Sequence, residues 1–78
     1  MTTYTDTELK SAIARSISHD EIVRVECDDI RATLARIDDD ENVTELDHTD
    51  CHTSEGAPMI DCYGKRLGSD WRLYLVRR

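Results

Sequence analysis

Between Asp38 and Glu55 the chain reads DDDENVTELDHTDCHTSE, with eight carboxylates (Asp38, Asp39, Asp40, Glu41, Glu45, Asp47, Asp50 and Glu55) and no Lys or Arg. An ionised carboxylate is costly to bury unless it is paired and hydrogen-bonded. This stretch must therefore stay at the surface, and the core has to be built from the segments on either side. At 78 residues the chain is expected to form one domain, 1–78, with a single thin core. Phe is absent and hydrophobic residues make up 38% of the chain, so the core must come from Ile, Leu, Val and Ala, with Trp71 and the tyrosines filling gaps.

The flanks carry clear periodicities. Residues 1–4 read as a frayed lead-in. Thr5-Asp6-Thr7-Glu8 has the form of a capping box, and Leu9, Ala12, Ile13 and Ile17 follow at helical spacing, which predicts a helix over about residues 6–17. Glu21–Cys27 alternates, with Val23, Val25 and Cys27 on one face, and predicts a strand in which Cys27 is a small buried hydrophobe. Asp28-Asp29 caps a second helix, whose apolar stripe is Ile30, Leu34 and Ile37 with Thr33 beside them. That helix should stop near Ile37, because the aspartates that follow oppose the negative end of its dipole. Residues 38–42 are then a loop, Val43–Thr49 an edge strand and residues 50–57 a polar loop. Val43 and Leu46, the only aliphatics there, are three apart, a spacing that fits neither a simple strand nor a long helix.

Residues 58–76 read as a C-terminal hairpin: Pro58–Tyr63 and Ser69–Val76 around the turn Gly64–Gly68. Trp71, Leu73 and Leu75 share the face that should pack on the helices; Arg72, Tyr74 and Val76 share the other. The expected class is α+β, with two helices on one face of a small mixed or antiparallel sheet, in the order α-β-α-β-β-β. The other sheet face would carry Arg24, Glu26, Arg72 and Tyr74, with Met59 or Tyr63.

The charge is unevenly distributed. Residues 1–64 hold 16 acids and 5 bases, residues 65–78 hold 1 acid and 5 bases, and the whole chain carries −7. An acidic body repels nucleic acid and anionic membranes, and suits a protein partner with a basic surface. Direct nucleic-acid binding and membrane binding are not expected. Met1–Asp6 is polar and no apolar run follows, so the reading is a cytoplasmic protein with reduced Cys27, Cys51 and Cys62.

The residue types in the acidic stretch and its surroundings bear on three chemistries. A small zinc-stabilised domain would use His48, Cys51 or His52, and Cys62; no C-x-x-C knuckle accompanies them. Asp38-Asp39-Asp40-Glu41-Asn42 lacks the glycine and the spacing of a calcium loop. A nucleophilic Cys51 or Cys62 with His48 or His52 would sit in an acidic environment that favours the neutral thiol. No cofactor is expected. A chain this short also has little wall with which to enclose a ligand pocket of about 300 Å³, and the expectation is a non-catalytic protein.

In size and charge the chain resembles the small acidic inhibitors that phages direct against host defence, the anti-CRISPR and anti-restriction proteins. Asp28-Asp29, Asp38–Glu41, Glu45, Asp47 and Asp50 carry that resemblance. It lies in composition and not in any motif, and it transfers no residue role. It implies an inhibitor, monomeric or homodimeric, that engages a basic, nucleic-acid-handling protein. On this reading Asp38, Asp39, Asp40, Glu41, Glu45, Asp47 and Asp50 supply charge pairing. Arg72 and Tyr74 are the residue types best suited to dominate a contact. The alternatives are the zinc-stabilised domain and a homodimer that pairs the open sheet face or the last strand.

Overall fold

A computed structural model describes residues 2–78. The chain runs β1 (Thr3–Thr5), a 3-10 turn (Asp6–Glu8), α1 (Leu9–His19), β2 (Val23–Cys27), α2 (Ile30–Asp38), β3 (Val43–His52), β4 (Pro58–Arg66) and β5 (Ser69–Arg77). The five strands form one mixed sheet in the spatial order β1-β2-β5-β4-β3. β2 pairs in parallel with β1 and with β5, and β4 pairs antiparallel with β5 and with β3. The fold is thus α+β with two helices, but its order begins with a strand that the sequence reading treated as a lead-in. Three residues are too few to display alternation. β1 exists because Tyr4 can pack against the core while its backbone completes the outer edge of β2. Met1 lies outside the described residues.

Local chemistry sets the helices. The Glu8 carboxylate accepts from the Thr5 amide at 3.2 Å and from its hydroxyl at 2.7 Å, so the 3-10 turn leads directly into α1. α1 buries Leu9, Ala12, Ile13 and Ser16. The Ser16 hydroxyl donates to the Arg72 carbonyl at 2.7 Å and accepts from the Arg72 amide at 2.8 Å, which ties the helix to the main chain of β5. α2 starts at Asp29, whose carboxylate accepts from the Ala32 amide at 3.1 Å, and it runs to Asp38. Thr33, Leu34 and Ile37 are its buried residues.

Alternate residues of the three central strands are buried. Val23, Val25 and Cys27 of β2, Trp71, Leu73 and Leu75 of β5, and Ile60 and Cys62 of β4 join the buried residues of α1 and α2 in one cluster. Full burial of each such aliphatic side chain stabilises by about 1.5–3 kcal/mol. Gly64 lets the indole of Trp71, its cross-strand partner, lie across the sheet: a Cβ at 64 would sit 2.8 Å from Trp71 Cζ2 and would run into the Glu45 carbonyl. The buried Trp71 Nε1 has no acceptor among the described residues.

The C-terminal half departs furthest from expectation. β3 continues to His52, so Asp50–His52 are strand and the loop shrinks to Thr53–Ala57. β4 continues to Arg66, and the five-residue turn becomes Leu67-Gly68, both with positive φ (+51° and +83°). The register between β3 and β4 shifts between Val43 and Glu45. This bulge explains the three-residue spacing. With Thr44 as the extra residue, Val43 and Leu46 return to the same face and both pack against the core. β5 is not an edge: it lies between β2 and β4, so the last strand has no free side for a second copy to pair with.

Candidate functional site

The acidic stretch is not one surface. Asp38 ends α2 and Asp39 is its C-cap, so the first acids gather where the helix dipole is already negative. The Asp40 carboxylate accepts from the Asn42 amide at 2.8 Å and holds the turn into β3. From there the strand distributes its side chains by alternation. Glu45, Asp47, Thr49 and Cys51 pair with Lys65, Tyr63, Asp61 and Met59, while Leu46, His48, Asp50 and His52 pair with Gly64, Cys62, Ile60 and Pro58. The second set lies on the side of Ile60 and Cys62, which are buried in the core.

Several of these acids already have partners. Asp50 bonds Arg31 of α2 at 2.7 Å, and Glu45 lies 3.8 Å from Lys65. The Glu55 carboxyl is held below its usual range, first by hydrogen bonds from its own backbone, Ser54 and Thr53, and then by the Arg24 charge. Among the described residues Asp38, Asp39, Glu41 and Asp47 take part in no ion pair. The predicted binding residues therefore separate into an unpaired group around the end of α2, Asp47 on one sheet face, and Asp50 on the other.

Arg72 and Tyr74 lie on the sheet face of Glu45 and Asp47, but Arg72 is not free. Its Nε and Nη2 donate to the two carboxylate oxygens of Asp61 at 3.1 and 2.6 Å. The guanidinium also lies 5.3 Å from the ring centroid of Tyr63 and 5.7 Å from that of Tyr74. This bidentate pair raises the Arg72 pKa further. Asp61 and Tyr63 thus belong to the same block; the sequence offers Tyr63 for this face as an alternative to Met59, but it does not offer Asp61. With two turn residues, Arg66 opposes Ser69, which places Tyr63 opposite Arg72 and Asp61 opposite Tyr74. Val76, on this face, is nonetheless buried.

The zinc candidates do not converge. Alternation puts Cys51 on the sheet face opposite to His48, His52 and Cys62. No group of three or more His, Cys, Asp or Glu side chains among the described residues is disposed to hold a metal ion. The same alternation keeps Cys51 and Cys62 apart, and all three cysteines are free thiols. Burial pushes the Cys62 thiol up to about 12, so at neutral pH it is protonated and a poor nucleophile, although His48 is its cross-strand partner. An open cleft of about 460 Å³ lies between the start of α2, the end of β3 and the start of β4. Asp29, Arg31, Asp50 and His52 line its rim and Ile30, Pro58 and Met59 its apolar part, with the Arg31–Asp50 pair across it.

No protein-family model, curated protein or solved structure matches the chain. No helix among the described residues is long and apolar enough to cross a membrane.

Proposed function

We propose that this protein is a non-catalytic protein-binding module, an inhibitor that engages a basic surface on a nucleic-acid-handling protein or complex. The observation that carries the reading is the unpaired charge of Asp38, Asp39 and Glu41 beside the C-terminal end of α2. Like charges beside a helix end of the same sign lower stability by about 0.3–1 kcal/mol each. A cationic partner removes that penalty on binding, and its long-range attraction to the acidic body speeds encounter. On this reading both helices cover one sheet face and leave the other to the partner. There the Tyr63–Arg72–Tyr74 block on Asp61 offers rigid aromatic and guanidinium groups whose order is set before contact. The resemblance to phage inhibitors in size and charge supports the same proposal, which places the protein in the cytoplasm with its thiols reduced.

The test is capture by the tagged protein from a native lysate at low and high salt. A nucleic-acid-binding protein retained at low salt, released at high salt, and lost when Asp38, Asp39, Asp40 and Glu41 are replaced by Asn and Gln is the expected result. Retention unchanged by those substitutions overturns it.

A further inference from the structure

β3 is an edge strand of ten residues, paired with β4 on one side only. Its free side can be read residue by residue. In an antiparallel pair, alternate residues turn both main-chain polar groups to the same neighbour. The Thr53 amide donates to the Ala57 carbonyl at 2.9 Å, so Thr53 faces β4. The next pair, His52 with Pro58, involves a residue with no N–H to give. Counting back, Cys51, Thr49, Asp47 and Glu45 turn their main-chain groups towards β4. Leu46, His48, Asp50 and His52 turn theirs outward, where among the described residues no strand meets them.

We infer that this edge pairs antiparallel with β3 of a second copy of the chain, in the register centred on Thr49. Charge selects both occupant and register. A two-fold axis at Asp47 or at Asp50 would set a carboxylate directly against its own copy, and an axis at His48 would set Asp50 against the partner's Leu46, with no polar side chain to meet it. Cross-strand like charges oppose pairing. With the axis at Thr49, His48 faces the partner's Asp50 and Asp50 faces the partner's His48, while Leu46 faces the partner's His52. All of these are outward residues, so each pair exchanges two main-chain hydrogen bonds. On the other sheet face Thr49 meets its own copy and Asp47 meets the partner's Cys51. No two carboxylates are then directly opposed. A neutral imidazole N–H suffices to donate to Asp50, and Arg31, at 2.7 Å, already offsets that carboxylate's charge. An axis at Cys51 also sets Asp50 against the partner's His52, but it pairs only residues 50–52 of the strand, so the acids of β3, which would otherwise only discourage edge pairing, favour the longer register at Thr49.

A single strand pairing buries less than the roughly 1,000 Å² of a stable interface, and two acidic bodies repel. The dimer is therefore reversible, strengthened by protein concentration and by salt. Salt acts here opposite to its effect on a basic partner, and the experiment contains only this chain, so its outcome is independent of the inhibitor reading.

The test is sedimentation equilibrium of the purified protein over a concentration series. A monomer–dimer equilibrium that tightens with salt is expected; a monomer throughout overturns the inference. His48→Asp sets carboxylates opposite one another and should weaken the dimer about tenfold, and adding Asp50→His should restore it. Failure of the double variant to recover overturns the register. As a geometric check, Thr49→Cys in a Cys51→Ser background places two thiols across the axis in a non-hydrogen-bonded pair, where Cα atoms lie about 4.5 Å apart. Mild oxidation should give a disulfide-linked dimer, and Glu45→Cys in the same background should give none. The reverse pattern overturns the register even if a dimer forms.

Discussion

Leu67 occupies the first central position of a two-residue hairpin turn at φ +51°, and 76% of its surface is exposed. The turn between antiparallel strands requires left-handed backbone at both central residues, and Gly68 meets that demand freely while Leu67 does not. Its backbone strain is offset by no burial. Leu67→Asn should therefore raise stability by about 1 kcal/mol, seen as a higher urea midpoint with unchanged slope. The cysteines give a second test at this scale. Cys27 and Cys62 are fully buried with thiol pKa values raised by desolvation, whereas Cys51 is only half-buried. Mass spectrometry after alkylation of the native protein should find one modified thiol, at Cys51. The other two should react only once the chain is unfolded.

The elements differ in how plainly their residues announce them. α1 and α2 could be read from capping residues and three- or four-residue spacing because a helix satisfies its hydrogen bonds within itself. β2 and β5 could be read because β-branched and aromatic residues alternate over their full length. β3 could be read as an edge strand only over Val43–Thr49, and not from its alternation, because the bulge at Thr44 shifts that alternation by one residue. Deleting Thr44 should restore simple alternation and turn either Val43 or the run from Leu46 away from the core. The expected loss is about 1–2 kcal/mol, read from thermal or urea unfolding, and Thr44→Ser should leave stability nearly unchanged.

Across the whole molecule, carboxylates tied to the fold compete with carboxylates that only repel. Glu8, held by Thr5, and Glu21, held by the Arg15 guanidinium at 2.9 Å, both have pKa values lowered from 4.5. A carboxyl whose folded value lies below its unfolded one contributes stability that is present above the unfolded value and is lost as pH falls through the folded one. The difference in urea midpoint between the native protein and Glu8→Gln should thus be largest at neutral pH, shrink below 4.5 and vanish once the folded carboxyl is protonated. Asp38, Asp39 and Glu41 take part in no ion pair among the described residues, and they lie at or just beyond the negative end of α2. Neutralising them should stabilise the protein at neutral pH while weakening capture of a basic partner, which separates their electrostatic contribution to stability from the role proposed for them in binding.

The sequence alone determined which segments are helical, which alternating residues form the core, and that the stretch from Asp38 to Glu55 stays outside it, because these depend on short-range periodicity and on the cost of burying charge. Tertiary structure decided that Thr3–Thr5 is a strand, that β5 lies in the middle of the sheet, that Asp61 holds Arg72, and that the acids separate onto two faces around an unpaired edge. Each of these depends on which distant strand lies alongside and in what register. A difference of one residue in a turn or bulge changes every pairing beyond it, and the local pattern of the chain does not record that choice.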